Sequence, residues 1–155
     1  MRELALNVLD IAENSLAAGA KLIGISLSFD TAKDTMRIEI DDDGCGMDEE
    51  TLRKVTDPFT TSRKTRSVGM GLPLFKYSAE SAGGSFSIAS QKGKGTKVCA
   101  QYRIGHIDRM PLGDFGGVVL QLVTMNPKVD FCISVTDGEH SGVLDTREVK
   151  RVLGE

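Results

Sequence analysis

Asp42-Asp43-Gly44-Cys45-Gly46 sets a carboxylate at the end of an alternating apolar run and follows it with two glycines. A carboxylate offers acceptors to an exocyclic amine, and glycines let a flat base come close to the backbone. Asp10 precedes Asn14 by four residues, so the two share one helix face a turn apart. Glu13, the neighbouring acid, points about 100° away around that helix. Asp57 to Val68 is rich in Thr, Ser, Arg and Lys, including Thr60, Thr61, Arg63 and Lys64. Hydroxyls and cations are what a polyphosphate needs. Gly69-Met70-Gly71-Leu72 then opens an apolar-periodic helix, whose N-terminal N–H groups favour phosphate. Gly93-Lys94-Gly95-Thr96 is a second glycine-rich turn. Each segment alone reads as a turn, a polar helix residue or a solvated loop. Their order and spacing carry the argument.

The elements that must hold these residues follow from periodicity. Leu4, Val8, Ile11, Ala12 and Ser15 recur at helical spacing over 3–18, and Gly19 offers a stop. Alternation predicts strands over 22–29 and 35–41, joined as a hairpin. A short helix is predicted over 48–55, and a longer one over 72–82 ending at Gly83-Gly84. Strands over 85–90 and 97–103 flank the Lys-Gly-Lys-Gly turn. The order points to an α/β chain, an α+β two-layer sandwich with helices on one face of a mixed sheet. Beyond it the pattern predicts a helix over 112–124, a strand over 129–135 and a helix over 145–153. Asp145 is the expected N-cap of that last helix, with Glu148 completing a capping box. We divide the chain at 1–104 and 105–155. This α-β-α extension is too small for its own core and is expected to pack on the main domain.

Bulk properties narrow the classes. The chain has 155 residues, 40% hydrophobic and 26% charged, which suits one globular domain. A net charge of −3 gives no general attraction to nucleic acid or membrane. Cys45, Cys99 and Cys132 are too few and scattered for a disulfide framework or thiolate metal site, and read as reduced thiols in a cytoplasm. No apolar run reaches the ~20 residues of a membrane span, and the start, Met1-Arg2-Glu3, does not read as a signal peptide.

Taken together, the boxes around Asn14, Asp42, Gly69-Met70-Gly71 and Gly93-Lys94-Gly95-Thr96 resemble the Bergerat-fold (GHKL) ATPases: histidine kinases, DNA gyrase, mismatch-repair ATPases and heat-shock chaperones. The resemblance spans roughly residues 4 to 103 and implies Mg²⁺ and ATP as ligands. By it, Asp42 reads the adenine amine, Gly44, Gly46 and Met47 form the adjoining box, and Asn14 ligates Mg²⁺. Asp10 takes the place of a general-base Glu, about one methylene shorter; the competing reading is a polar helix residue pairing with an arginine of the lid. Thr60, Thr61, Arg63 and Lys64 fall in the ATP lid, Gly69, Met70, Gly71 and Leu72 follow it, and Thr96 supports Asp42 directly or through water. Asp43 stands where the family usually carries Asn, and Ala17 where histidine kinases commonly carry a basic residue.

The leading expectation is a stand-alone kinase-type module or anti-sigma-like regulator acting on a protein partner. The alternatives are an ATP-gated switch with slow hydrolysis and a non-catalytic nucleotide sensor. The helical hairpin that carries the phospho-acceptor His in histidine kinases is not expected, with three residues before the first helix. His106-Ile107-Asp108-Arg109-Met110-Pro111 has only a faint likeness to the acceptor motif. The partner is not legible, and a homodimer is allowed, since related kinases and anti-sigma factors are often dimers.

Overall fold

The computed structural model describes residues 3–55, 66–107, 109 and 111–153, with 55 and 66–71 described by their backbone alone. Helix α1 (Leu4–Ala17) leads into the hairpin of β1 (Leu22–Asp30) and β2 (Thr35–Asp42). Helices α2 (Glu49–Val55) and α3 (Arg66–Ser81) precede a second hairpin, β3 (Ser85–Gln91) and β4 (Gly95–Arg103). Then come α4 (Phe115–Met125), β5 (Asp130–Thr136), β6 (Ser141–Asp145) and α5 (Thr146–Leu153). The strands form one mixed sheet in the order β3-β4-β2-β1-β5-β6. β1 and β5 run parallel, and the other neighbours are antiparallel.

Period-two alternation sorts the sheet into two faces. Ile23, Ile25 and Leu27 of β1, Met36, Ile38 and Ile40 of β2, and Val98, Ala100 and Tyr102 of β4 are buried together with Phe131 and Ile133 of β5. They meet Leu4, Val8, Ile11 and Ala12 of α1, Phe75, Ala79 and Ala82 of α3, and Val118 and Leu122 of α4 in one core. Ser26 and Ser134 lie out of register with that set and share a hydrogen bond of 2.8 Å. The start of α1 is closed by the chain after β4. Leu4 and Ala5 N–H groups, orphans of a first turn, donate to the carbonyls of Pro111 and Leu112 at 2.9 and 2.8 Å.

Three features depart from the sequence expectation. Helix α3 begins at Arg66 rather than Leu72, which places Gly69, Met70 and Gly71 inside it. The apolar spacing starts at Leu72 and the glycines before it argue for a loop; the structure instead runs the helix through them and accepts Pro73 inside it, without its bond to the Gly69 carbonyl. The extension is α-β-β-α rather than α-β-α, because β6 returns from the Asp137-Gly138 turn to pair with β5. Asp145 accepts from the Arg147 N–H at 3.0 Å as expected of a cap, but Glu148 pairs with Arg151 instead of reaching back.

Candidate functional site

Two contacts tie the last turn of α1 to the end of β2. The Ser15 hydroxyl donates to Asp42 Oδ2 at 2.6 Å, and the Cys45 N–H donates to the Ala18 carbonyl at 2.9 Å. The Gly44 N–H donates to the other carboxylate oxygen, Asp42 Oδ1, at 2.8 Å. Both oxygens of Asp42 are therefore fixed in direction by the protein.

Asp43 faces the opposite way and accepts from the Lys21 and Leu22 N–H groups at 2.8 and 3.0 Å. These donors, Leu22 foremost, hold its carboxyl below the usual carboxylate range. Asn could accept the same bonds, which accounts physically for the departure from the family's Asn at this position.

The loop 43–47 is clasped by the β3–β4 turn. The Gly93 N–H donates to the Cys45 carbonyl at 2.6 Å, and the Met47 N–H donates to Ser90 Oγ at 2.8 Å. Ser90 Oγ also lies 3.1 Å from the Gly95 carbonyl and 2.7 Å from Thr96 Oγ1. The two loops approach so closely that side chains are excluded. A Cβ on Gly46 would lie 2.1 Å from the Gln91 carbonyl oxygen, and one on Gly95 2.0 Å from that of Asp42. Both glycines have positive φ, +70° and +122°.

Between α1, the end of β2, α3 and β4 lies a cavity of about 250 Å³. Its walls are apolar, from Ile11, Ala17, Ile40, Met47, Leu72 and Val98, with Asn14, Ser15, Asp42 and Thr96 as its polar side chains. Apolar walls around a few convergent polar groups suit a planar heteroaromatic ring. Asn14 is half-buried at the rim of this space. Among the described residues no three His, Cys, Asp or Glu side chains converge as a metal cage. A single amide oxygen fits Mg²⁺, which holds most of its ligands as water and phosphate oxygens.

The structure thus brings Asn14, Asp42, Gly46, Met47, Leu72 and Thr96 to one cavity, with Gly44 behind Asp42. Asp10 is exposed one turn before Asn14 and does not line the cavity. Thr60, Thr61, Arg63 and Lys64 lie outside the described residues, as does the side chain of Met70. The hydroxyl in direct contact with Asp42 is that of Ser15, while Thr96, paired with Asp42 across β2 and β4, bonds to Ser90. Sequence reasoning missed both serines as site residues. Ser15 carried a signal, a polar residue at an apolar position of the α1 period, 3% exposed and so in need of a buried partner. Ser90 carried none. His106 lies beyond the far end of β4. From Thr96 to Arg103 the strand alone extends ~23 Å at ~3.3 Å per residue. His106 therefore lies beyond the opposite end of β4 from Thr96 and the cavity.

The model of the family described as "Histidine kinase-, DNA gyrase B-, and HSP90-like ATPase" matches residues 1–105. A sensor protein of Shewanella frigidimarina is 30% identical over 99 residues, 63% of this chain and 15% of that protein. Sporulation kinase E of Bacillus subtilis is 29% identical over 96 residues, 62% of this chain and 13% of the kinase. The matched segment is thus a small part of these relatives. The MutL ATPase domain of Aquifex aeolicus, solved with ADP, shares the fold at a TM-score of 0.51 and 18% identity, over 97% of this chain and 68% of that one.

Proposed function

The chain belongs to the family of histidine kinase-, DNA gyrase B- and HSP90-like ATPases, and from that premise we propose that it binds Mg-ATP and transfers the γ-phosphoryl group to a protein partner. The observation that carries the nucleotide reading is Asp42. Its carboxylate is oriented by Ser15 and Gly44 at the polar end of an apolar cavity. There it accepts from the adenine amine while Ile40, Val98, Met47 and Leu72 cover the ring. Asn14 would hold the metal through its amide oxygen. Bound Mg²⁺ would neutralise charge on the phosphate oxygens.

One turn before Asn14, Asp10 is the acid placed to orient the acceptor and take its proton. In the transfer the bond between the γ-phosphorus and its bridging oxygen breaks, a bond to the acceptor oxygen or nitrogen forms, and ADP leaves. The kinase reading is supported by likeness to a sensor protein and a sporulation kinase. His106 lies beyond the opposite end of β4 from Thr96, which argues for an acceptor elsewhere. The second reading is slow hydrolysis in an ATP-gated switch. The exposure of Asp10 gives a water and a partner side chain equal access to it.

The test follows the γ-phosphate. The full chain is incubated with Mg²⁺ and γ-labelled ATP, alone and with candidate partners. Label on a partner supports the kinase, steady free phosphate supports the switch, and failure to bind ATP removes both.

A further inference from the structure

The chain beyond residue 105 lies outside the segment that the family model matches, and the nucleotide reading does not use its last elements. β6 is the final strand of the sheet, so one of its edges faces outward. What it offers there follows from its pairing with β5. The Phe131 N–H donates to Thr146 Oγ1 at 2.8 Å, whereas the Asp130 N–H donates the other way, to the Lys21 carbonyl just before β1. Backbone groups alternate in direction along a strand. Ile133 and Val135 therefore also turn toward β6, and Leu144 and Gly142 opposite them turn toward β5. That leaves Ser141, Val143 and Asp145 with their N–H and C=O groups directed away from the sheet. Such a row is a template for another strand, and proteins that keep an edge single place Lys, Pro or a bulge on it. The run Ser141-Gly142-Val143-Leu144-Asp145 has no Lys or Pro, and its register with β5 is unbroken. Its apolar side chains are uncovered as well: Val143 is 69% exposed, and Leu144 and Val135 are exposed on the other face.

We propose that β6 is a self-pairing edge: a second copy of this chain adds its own β6 antiparallel about a dyad at Val143, joining the two six-stranded sheets into one. The occupant is a second copy because the strand is complementary to itself. Of the antiparallel alignments of β6 with its copy, this one alone pairs all five residues. It sets Val143 against Val143, Ser141 against Asp145 and Gly142 against Leu144. The outward backbone groups of Ser141, Val143 and Asp145 then meet only one another, and no like charges stand opposite. Gly142 has nothing within 4 Å of where a Cβ would sit, which leaves room for the second copy's Leu144. Val135, opposite Gly142 in register, adds an apolar neighbour for it. An isologous contact makes each unlike pair twice. β1 and β5 separate β6 from β2 and β4, which border the nucleotide cavity, so the pairing leaves that cavity open.

The test is sedimentation velocity of the full chain over a dilution series, with circular dichroism on each variant to show that it is folded. The wild type sediments as a dimer at high concentration and dissociates on dilution. Val143→Pro raises the dimer dissociation constant roughly tenfold or more, because it removes both hydrogen bonds at the dyad. It costs the single chain no ladder bond, since the Val143 N–H faces away from β5. Val143→Lys and Val143→Glu, at an exposed side chain, each weaken the dimer by setting like charges directly opposite. Mixing those two variants restores a dimer, because the dyad then sets opposite charges together. Ser87→Lys, exposed on the other edge strand β3, leaves the dimer as it is in the wild type.

A wild type that stays monomeric at every concentration would overturn the proposal. So would a dimer that Val143→Pro and Val143→Lys leave intact, because its contact lies elsewhere. A mixture of Val143→Lys and Val143→Glu that associates no better than either alone would overturn the dyad at Val143. Loss of the dimer in Ser87→Lys would assign the pairing to β3 instead.

Discussion

Gly46→Ala tests whether the loop after β2 and the β3–β4 turn are truly interlocked. Alanine at φ +70° carries left-handed strain of about 1–2 kcal/mol. Its Cβ would also lie 2.1 Å from the Gln91 carbonyl oxygen, a backbone atom that no rotamer change can move aside. Relief requires the loops to part by close to an ångström. That motion breaks the 2.6 Å bond from Gly93 to Cys45 and the 2.8 Å bond from Met47 to Ser90, each worth about 1 kcal/mol. The sum is about 3–4 kcal/mol, a large fraction of a typical domain's stability. For a chain of this size it lowers Tm by about 6–16 °C. Gly93→Ala is the internal comparison. Its φ is +84°, but a Cβ there meets nothing within 4 Å. Strain alone predicts about 1–2 kcal/mol and about 2–8 °C. Urea and thermal unfolding followed by far-ultraviolet circular dichroism give both values. Equal destabilisation by the two substitutions would refute the interlock, and with it the view that these loops hold Asp42 in place jointly.

Asn14→Ala should remove the Mg²⁺ dependence of ATP binding, measured by calorimetric titration with and without the metal; equal enhancement by magnesium would show that the ligand is elsewhere. Asp10→Ala should leave ATP affinity within about threefold and reduce phosphoryl turnover by roughly a hundredfold or more, the share commonly carried by a general base; undiminished turnover assigns that role to another group or to none. Asp43→Ala should lower Tm at neutral pH. The folded-state carboxyl is held below its ordinary value, so its contribution is present above the unfolded value of ~3.9 and fades as pH falls through the lower folded value. The difference from wild type should therefore shrink below pH ~4, and a gap that persists into stronger acid would count against the two backbone bonds as its source.

Much of this architecture was legible because its elements are strongly periodic. Ile25 and Leu27 pair with Ile40 and Ile38 across the hairpin, and Ile23 and Met36 share their buried face, as the alternation anticipates. The carboxylate at the end of the second strand was equally plain, since the alternation stops at Asp42 and glycines follow. The start of α3 was not. Two glycines and a proline within 69–73 argue locally for a loop, and the helix runs through them. β6 was missed because Val143 and Leu144 are too short an apolar run to mark a strand. Ser15 illustrates a different limit. Its position on the buried face of α1 was readable, but its partner lies 27 residues away on a strand, and only the packing of α1 on the sheet brings the two together.

The central claim is that Asp42 reads a purine amine in the cavity between α1 and the sheet. It is tested most directly by titrating ATP, with Mg²⁺ present, into the wild type and into Asp42→Asn. Asparagine keeps the shape but turns one acceptor into a donor, which loses the charge-assisted bond and opposes the amine. The account predicts saturable binding by the wild type, weakened in Asp42→Asn by ~1–3 kcal/mol, roughly 5- to 150-fold. Equal affinity in the two proteins would contradict it.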